Sequence, residues 1–144
     1  MKPSMILLIE DNPDDVELTR MALADNNIAN ELVVATSGDA ALAILFADDA
    51  AAPLLILLDL KLPRVNGVEV LRRIREHPRT RLVPVIVLTS SDEQRDLIES
   101  YSLGANSYVR KPVDYTEFVT AVRQLGIYWL MVNIPPPSAA GVAA

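Results

Sequence analysis

The sequence contains no cysteine, and large aromatic side chains are scarce, with two phenylalanines and one tryptophan among 144 residues. The absence of cysteine excludes disulfides, thiolate metal sites and cysteine nucleophiles. Positive charge is also in deficit, because 13 Lys and Arg face 19 Asp and Glu and leave a net charge of −6. This balance argues against direct nucleic-acid binding, which depends on neutralising phosphates, and favours basic partners or bound cations.

Long hydrophobic runs are missing as well. The run at residues 5–9 stops at Glu10 and Asp11 and is too short for a secretory signal. The apolar segment at residues 127–132 falls far below the roughly 20 residues that a membrane span needs. We therefore expect no membrane contact and a cytoplasmic location.

Short, uniformly apolar segments alternate with longer segments of mixed polarity, in a chain that is 51% hydrophobic and 22% charged. Unbroken apolar runs are typical of strands covered on both faces of a parallel sheet. The pattern predicts a doubly wound (βα)5 domain of the α/β class at residues 1–126, and a C-terminal extension with a flexible tail at 127–144. Strands are predicted at 5–9, 31–35, 54–58, 85–88 and 106–109, and helices at 14–24, 38–48, 68–76, 92–102 and 114–125.

Reactive side chains follow four of the predicted strands. The carboxyl ends of parallel strands meet at one edge of the sheet, which is where ligands bind in this class of fold. Three carboxylates and one lysine leave a local charge near −2, which is costly unless a cation is bound. Oxygen ligands favour Mg²⁺, with Mn²⁺ as an alternative, and a carboxylate beside a lysine and a hydroxyl suits aspartyl-phosphate chemistry. The residues are Glu10, Asp11, Asp59, Thr89 and Lys111.

Each of these residues also has an ordinary structural role open to it. Glu10 and Asp11 favour the start of a helix, Asp59 suits the cap of a turn, and an isolated lysine usually lies on the surface. Their joint placement at four strand ends favours a functional site. The only histidine, His77, falls at a predicted helix end and is interpreted as a surface residue rather than a phosphate donor.

Short motifs in a fixed order resemble the receiver domain of two-component response regulators, the CheY-like family. The resemblance spans residues 5 to about 126 and implies a flavodoxin-like five-stranded sheet in the order 2-1-3-4-5. The motifs are Ile9-Glu10-Asp11-Asn12, Leu58-Asp59-Leu60-Lys61-Leu62-Pro63, Asn66-Gly67, Leu88-Thr89-Ser90-Ser91, Gly104-Ala105, Tyr108 and Lys111-Pro112.

The resemblance implies a role for each matching acidic position. Asp59 is the expected phosphoacceptor. Asp11 and Asp59 are expected to bind Mg²⁺ directly, together with the backbone carbonyl of Lys61, and Glu10 through a water molecule. The expected phosphate donor is a histidine kinase.

The resemblance also implies a switch. Lys111 is expected to pair with the phosphoryl group and to precede Pro112 through a cis peptide bond. Thr89 is the expected switch hydroxyl, and Tyr108 is the aromatic residue expected to change rotamer as Thr89 moves inward. Gly67 is expected to adopt a turn conformation closed to other residues.

The C-terminal segment at 127–132 is apolar on all sides, and a five-stranded core has no evident need of it. We therefore predict a homodimer through the fourth helix, the fifth strand and the fifth helix, with Trp129 and Leu130 as interface candidates. The ending Leu125-Gly126, Tyr128-Trp129 and Asn133, followed by prolines, resembles stand-alone receivers that serve phytochrome-like histidine kinases.

The sequence therefore predicts a single-domain response regulator that catalyses only its own phosphorylation and dephosphorylation, and is not a conventional enzyme. Three alternatives stay open. An aspartate-nucleophile phosphatase would want a second carboxylate at position 61, which is Lys61. A nucleotide or flavin binder would want glycines in the acidic loop at 10–13. A phosphorylation-independent interaction module would not need the full acidic set.

Overall fold

The computed structural model describes residues 5–25 and 30–137, so the tail from residue 138 onward lies outside the described residues. Five parallel strands form one sheet in the order β2-β1-β3-β4-β5, which confirms the predicted (βα)5 fold and the edge position of the fifth strand. The elements are β1 (Ile6–Ile9), α1 (Pro13–Asp25), β2 (Leu32–Ala35), α2 (Gly38–Leu45), β3 (Leu55–Leu58), α3 (Gly67–Glu76), β4 (Val85–Thr89), α4 (Gln94–Ser102), β5 (Ser107–Arg110) and α5 (Tyr115–Ile127).

The two faces of the sheet are covered by different helices. Along β1, Leu7 and Ile9 pack with α2 and α3, whereas Ile6 and Leu8 pack with α1 and α5. This alternation follows from the two-residue period of a strand. Both faces are buried, which is why the strands are apolar throughout.

Side-chain caps explain where most helices begin. The Asn12 carboxamide oxygen accepts from the backbone N–H groups of Asp14 (2.9 Å) and Asp15 (3.3 Å), so α1 starts at Pro13, one residue before the predicted start. The predicted start of the fourth helix at residue 92 is wrong, because the Ser91 hydroxyl donates to Asp96 (2.6 Å) instead of capping the helix. Helix α4 therefore begins at Gln94.

The last helix does not end at Gly126. Helix α5 runs to Ile127 and continues into a π-helical turn, Tyr128–Val132. Trp129 and Leu130 are half-buried and pack against the α1/α5 side of the core. The expectation that this segment has no place in the core is therefore wrong for these two residues.

Arg75 joins three parts of the fold at the end of the sheet away from the strand ends that carry the acids. Its guanidinium donates to the backbone carbonyls of Gly104 (2.7 and 3.0 Å), Val83 (2.7 Å) and Arg81 (3.1 Å), and to the side-chain oxygen of Asn106 (2.9 Å). Gly104 has φ +94°, and a Cβ there would approach the Arg75 side chain to 3.0 Å. Arg75 therefore ties the end of α3 to the loop that leads into β5.

We predict that Arg75→Met lowers the free energy of unfolding by about 3 kcal/mol. The substitution removes the charged donor from all of these carbonyls at once. Urea denaturation measures the change. Arg81→Met is the matched control, since it removes the same charge from an exposed side chain of the adjoining loop. Equal losses in the two variants would contradict the bracing role of Arg75.

Candidate functional site

Backbone hydrogen bonds continue past the ends of the strands and fix the first residues of the loops. Glu10 N–H donates to the Ala35 carbonyl (2.9 Å), and Asp59 N–H donates to the Ile9 carbonyl (3.0 Å). Lys111 N–H donates to the Thr89 carbonyl (2.7 Å). Loop residues that carry the reactive groups are thereby held by the sheet itself.

The Asp59 carboxylate is buried and accepts hydrogen bonds on both oxygens. Oδ1 accepts from the Thr89 hydroxyl (2.8 Å) and from the Lys61 backbone N–H (3.1 Å), and Oδ2 accepts from the Lys111 ammonium (3.1 Å). Only 5% of Asp59 is exposed. The sequence-predicted residues Asp59, Thr89 and Lys111 therefore form one site.

Gly67 is needed for close packing behind this carboxylate and not for an unusual backbone conformation. A Cβ at Gly67 would lie 2.4 Å from the Asp59 carbonyl oxygen and 2.5 Å from Leu60 Cα. Gly104 is the only glycine with positive φ in the described part of the chain. The expectation of a special turn conformation at Gly67 is therefore wrong, and the reason for glycine there is space.

Lys111 contacts three carboxylates. Its Nζ lies 2.5 Å from Glu10 Oε1, 2.8 Å from Asp15 Oδ2 and 3.1 Å from Asp59 Oδ2. Burial opposes the charge of the ammonium, but the hydrogen bonds to Asp15 and Glu10 and the charge of Asp59 outweigh it and raise the pKa of Lys111. Lys111 is therefore a fixed positive charge inside the site. Its peptide bond to Pro112 is trans, against the expected cis form, in keeping with the intrinsic preference of X–Pro bonds.

Carboxylate oxygens of Glu10, Asp11 and Asp59 all lie within 4.8 Å of one another. Burial raises the pKa of Glu10 to about 7, although Lys111 lowers it, so one ammonium does not fully offset the cost of the buried negative charge. Asp11 is exposed, which leaves room for water ligands. An all-oxygen cluster with an open side fits Mg²⁺ or Mn²⁺.

A chain of hydrogen bonds leads from Asp59 toward α4. The Thr89 hydroxyl accepts from the Ser91 N–H (3.3 Å), and the Ser91 carbonyl accepts from the Tyr108 hydroxyl (3.2 Å). The Ser91 hydroxyl donates to Asp96 on α4 (2.6 Å). Burial raises the pKa of Tyr108. The Thr89 hydroxyl therefore contacts Asp59, and the half-buried Tyr108 is joined to it through Ser91.

Sequence reasoning misses Asp15 and finds no role for His77 in the site. Asp15 falls within the helix predicted at 14–24 and is half-buried, one turn before the buried Thr19 and Ala22. That spacing is the available signal. His77 caps the far end of α3 and stacks on Phe46 with ring centroids 4.8 Å apart.

The described residues contain no helix with the length and apolar character needed to cross a membrane.

A family model described as the response regulator receiver domain matches residues 6–123. The chain is 37% identical over 138 residues to response regulator Rcp1 of Synechocystis sp. The alignment covers 92% of this chain and 94% of Rcp1. A crystal structure of the Mn²⁺-bound form of Rcp1 aligns with a TM-score of 0.88 at 36% identity, over 94% of this chain and 100% of that one.

Two further solved structures are similar. The phosphorylated cyanobacterial phytochrome response regulator RcpA aligns with a TM-score of 0.88 at 34% identity, over 94% of this chain and 100% of that chain. The bacteriophytochrome response regulator RtBRR aligns with a TM-score of 0.72 at 44% identity, over 97% of this chain and 88% of that chain.

Proposed function

The chain belongs to the response regulator receiver domain family and acts in phosphorelay signal transduction, and from this we propose that Asp59 accepts a phosphoryl group from a histidine kinase in a Mg²⁺-dependent reaction. The observation that carries the proposal is the pair of donors on Asp59, with the Thr89 hydroxyl at 2.8 Å and the Lys111 ammonium at 3.1 Å.

The proposed reaction is a phosphoryl transfer between two side chains. A carboxylate oxygen of Asp59 bonds to phosphorus as the nitrogen–phosphorus bond of phosphohistidine breaks, and the leaving imidazole nitrogen takes a proton from water. Lys111 and Thr89 then shift their hydrogen bonds from the carboxylate to the oxygens of the phosphoryl group. The phosphoryl group adds negative charge to a largely buried site, and the Lys111 ammonium offsets that charge.

Asp11 and Asp59 are the proposed direct side-chain ligands of Mg²⁺, and the Lys61 carbonyl is the proposed backbone ligand. Glu10 is proposed to act through a water molecule. A divalent cation bound there supplies positive charge to the phosphoryl oxygens. The 4.8 Å cluster and the Mn²⁺-bound structure of the relative Rcp1 support this assignment. The contact between Glu10 and Lys111 at 2.5 Å suits the indirect role expected for Glu10, because that oxygen is already engaged.

The proposed output runs through Thr89, Ser91 and Tyr108 to α4, whose outward face carries Ile98 and Tyr101, 58% and 51% exposed. Phosphorylation at Asp59 changes the partner of the Thr89 hydroxyl and with it the bond from Ser91. Partner binding at the surface of α4, β5 and α5 then changes. The protein is not a conventional enzyme in this proposal, since the reaction site is its own side chain.

The three alternatives explain less of the site. A phosphatase is disfavoured because position 61 is a lysine whose ammonium pairs with Glu93 at 3.9 Å. A nucleotide binder is disfavoured because the loop at 10–13 carries two acids and no glycine, and its Glu10 pairs with Lys111. A phosphorylation-independent module is disfavoured because it gives no reason to bury Glu10 and Asp59 together.

Removal of the metal is expected to abolish phosphorylation. With acetyl phosphate as donor, EDTA added beforehand should prevent labelling of wild type. Asp11→Asn should weaken Mg²⁺ binding by about 100-fold because one charged ligand is lost, and labelling should fall with it. Asp14→Asn, an exposed acid of the same loop and helix start, is the control and should match wild type. Unchanged Mg²⁺ affinity in Asp11→Asn would refute the metal assignment.

The proposed kinase partner is phytochrome-like, because the similar structures include phytochrome and bacteriophytochrome response regulators. We expect faster transfer to Asp59 from a phytochrome-type kinase than from unrelated histidine kinases tested at equal concentration. No preference among kinases would contradict this partner.

The net charge of −6 supports action without direct nucleic-acid contact. We also propose a cytoplasmic location.

We further propose a receiver domain at 1–126 with a C-terminal extension at 127–144, and a homodimer formed through α4, β5, α5 and the extension. Trp129 and Leu130 pack on their own domain, so they contribute only their exposed parts. The supporting observation is the apolar surface beside them, with Tyr128, Met131 and Val132 exposed by 49%, 67% and 62%.

Point substitutions separate dimerisation from folding better than truncation does. Met131→Asp is expected to convert dimers to monomers that stay folded, as seen by light scattering, because Met131 is exposed in the protomer. Trp129→Ala is expected to lower the free energy of unfolding by about 2 kcal/mol, because it removes core contacts. Wild type that is monomeric in both phosphorylation states would rule out the dimer.

A further inference from the structure

Asp15 is the one carboxylate around Lys111 that lies outside the acidic cluster. The other two, Glu10 and Asp59, belong to the group of oxygens that fits a divalent cation, whereas Asp15 does not. A cation at that cluster would share Glu10 and Asp59 with Lys111. Asp15 would then be the carboxylate that only Lys111 uses.

The backbone of Asp15 is held from both sides. Its N–H donates to the Asn12 carboxamide oxygen (3.3 Å), and its carbonyl accepts from the Thr19 hydroxyl (2.8 Å). Thr19 is 1% exposed and anchors this turn of α1 in the core. The carboxylate of Asp15 therefore projects toward Lys111 from a rigid helix, and only 20% of its side chain is exposed.

Lys111 itself comes from the loop after β5, where its long side chain has several rotamers available. Its side chain is 9% exposed and crosses from that loop to α1 to reach Asp15 at 2.8 Å. The Lys111 side chain is fixed at one end by the backbone and at the other by Asp15. Its ammonium is therefore oriented before the phosphoryl group arrives. Orientation of this kind lowers the barrier to transfer.

We propose that Asp15 is a positioning residue that holds the Lys111 ammonium over Asp59 independently of the metal ligands. This rests on the proposed phosphotransfer to Asp59. Loss of Asp15 leaves the acidic cluster intact but frees the lysine. The phosphorylation rate therefore falls, while Mg²⁺ affinity does not.

The experiment compares full-length wild type with Asp15→Ala, Asp15→Asn and Asp14→Asn. Calorimetry gives the Mg²⁺ affinity without a phosphate donor, and acetyl phosphate at saturating Mg²⁺ gives the phosphorylation rate. The chain has only three lysines, Lys2, Lys61 and Lys111, so the Lys111 ammonium can be followed by ¹H–¹⁵N NMR in the Mg²⁺-saturated protein. Only a protected ammonium gives a sharp signal.

We expect Asp15→Ala to lower the phosphorylation rate by about 10- to 100-fold and to abolish the Lys111 ammonium signal, with Mg²⁺ affinity within about twofold of wild type. Asp15→Asn keeps an acceptor oxygen, so its phosphorylation rate and ammonium signal should be intermediate. This variant replaces Asp15→Ala in the test if the alanine variant does not fold. Asp14→Asn should behave as wild type, because its side chain is exposed.

The proposal is overturned if Asp15→Ala keeps both the rate and the ammonium signal, or if its Mg²⁺ affinity falls by the same factor as its rate. The second result would make Asp15 part of the metal site. Failure of wild type to be phosphorylated would instead contradict the proposed function, and the ammonium signal would still decide the role of Asp15.

Discussion

Asp59→Asn is expected to take up no phosphoryl group from acetyl phosphate or from a histidine kinase. The carboxamide has nearly the shape of the carboxylate and keeps an oxygen that can accept from Thr89 and Lys61, so the fold is preserved. An amide, however, is not a nucleophile toward phosphorus under these conditions. The effect is therefore a complete loss of label and not a reduced rate.

The matched control for this variant is Asp39→Asn. Asp39 is exposed and pairs with Arg64 at 2.8 Å, away from the site. It should be labelled like wild type. Residual label on Asp59→Asn that maps to a serine or to His77 would show that the chemistry differs from the one proposed.

Lys111→Met is expected to lower the phosphorylation rate by about 100-fold while Mg²⁺ still binds. The ammonium offsets charge on the transferring group, and the loss of one such interaction costs about this much. Mg²⁺ affinity should be equal or tighter, because the lysine no longer occupies oxygens of Glu10 and Asp59. Rates come from acetyl phosphate labelling and affinity from calorimetry.

Stability gives a second test of Lys111. Without metal, Lys111→Met should lose about 3 kcal/mol, because buried Glu10 and Asp59 lose their positive partner. Added Mg²⁺ should restore more stability to the variant than to wild type, since the cation binds only the folded protein. Arg110→Met removes the same charge from the neighbouring, 67% exposed side chain and should change neither property. Wild-type rates in Lys111→Met would refute its role.

The sheet could be predicted from the sequence because its strands are covered on both faces. Uniform apolar runs as short as 54–58, bounded by polar residues, are typical of buried parallel strands, and the chain order fixes which polar residues end them. The register then brings Ile9 level with Leu58, so the acids that follow them must meet. The fold and the meeting of these acids were predictable for the same physical reason.

Features that depend on competition between side chains could not be predicted. Ser91 directly precedes the helix predicted at 92–102, but its hydroxyl donates to Asp96 instead of capping the helix, and α4 starts at Gln94. Trp129 and Leu130 lie in an evenly apolar segment, and only packing decides which members face the core. In the sequence, Arg75 cannot be told from an exposed arginine. Its role depends on the carbonyls of two loops that are distant in the sequence and lie beside it only in the fold.

Mapping the modified residue in wild type tests the proposed phosphorylation of Asp59 directly. The protein is phosphorylated with acetyl phosphate and Mg²⁺, reduced with borohydride to convert an acyl phosphate to homoserine, and digested for mass spectrometry. We expect homoserine at position 59 and at no other aspartate, and none when EDTA is present. Modification at another residue, or at position 59 without a divalent cation, would contradict this expectation.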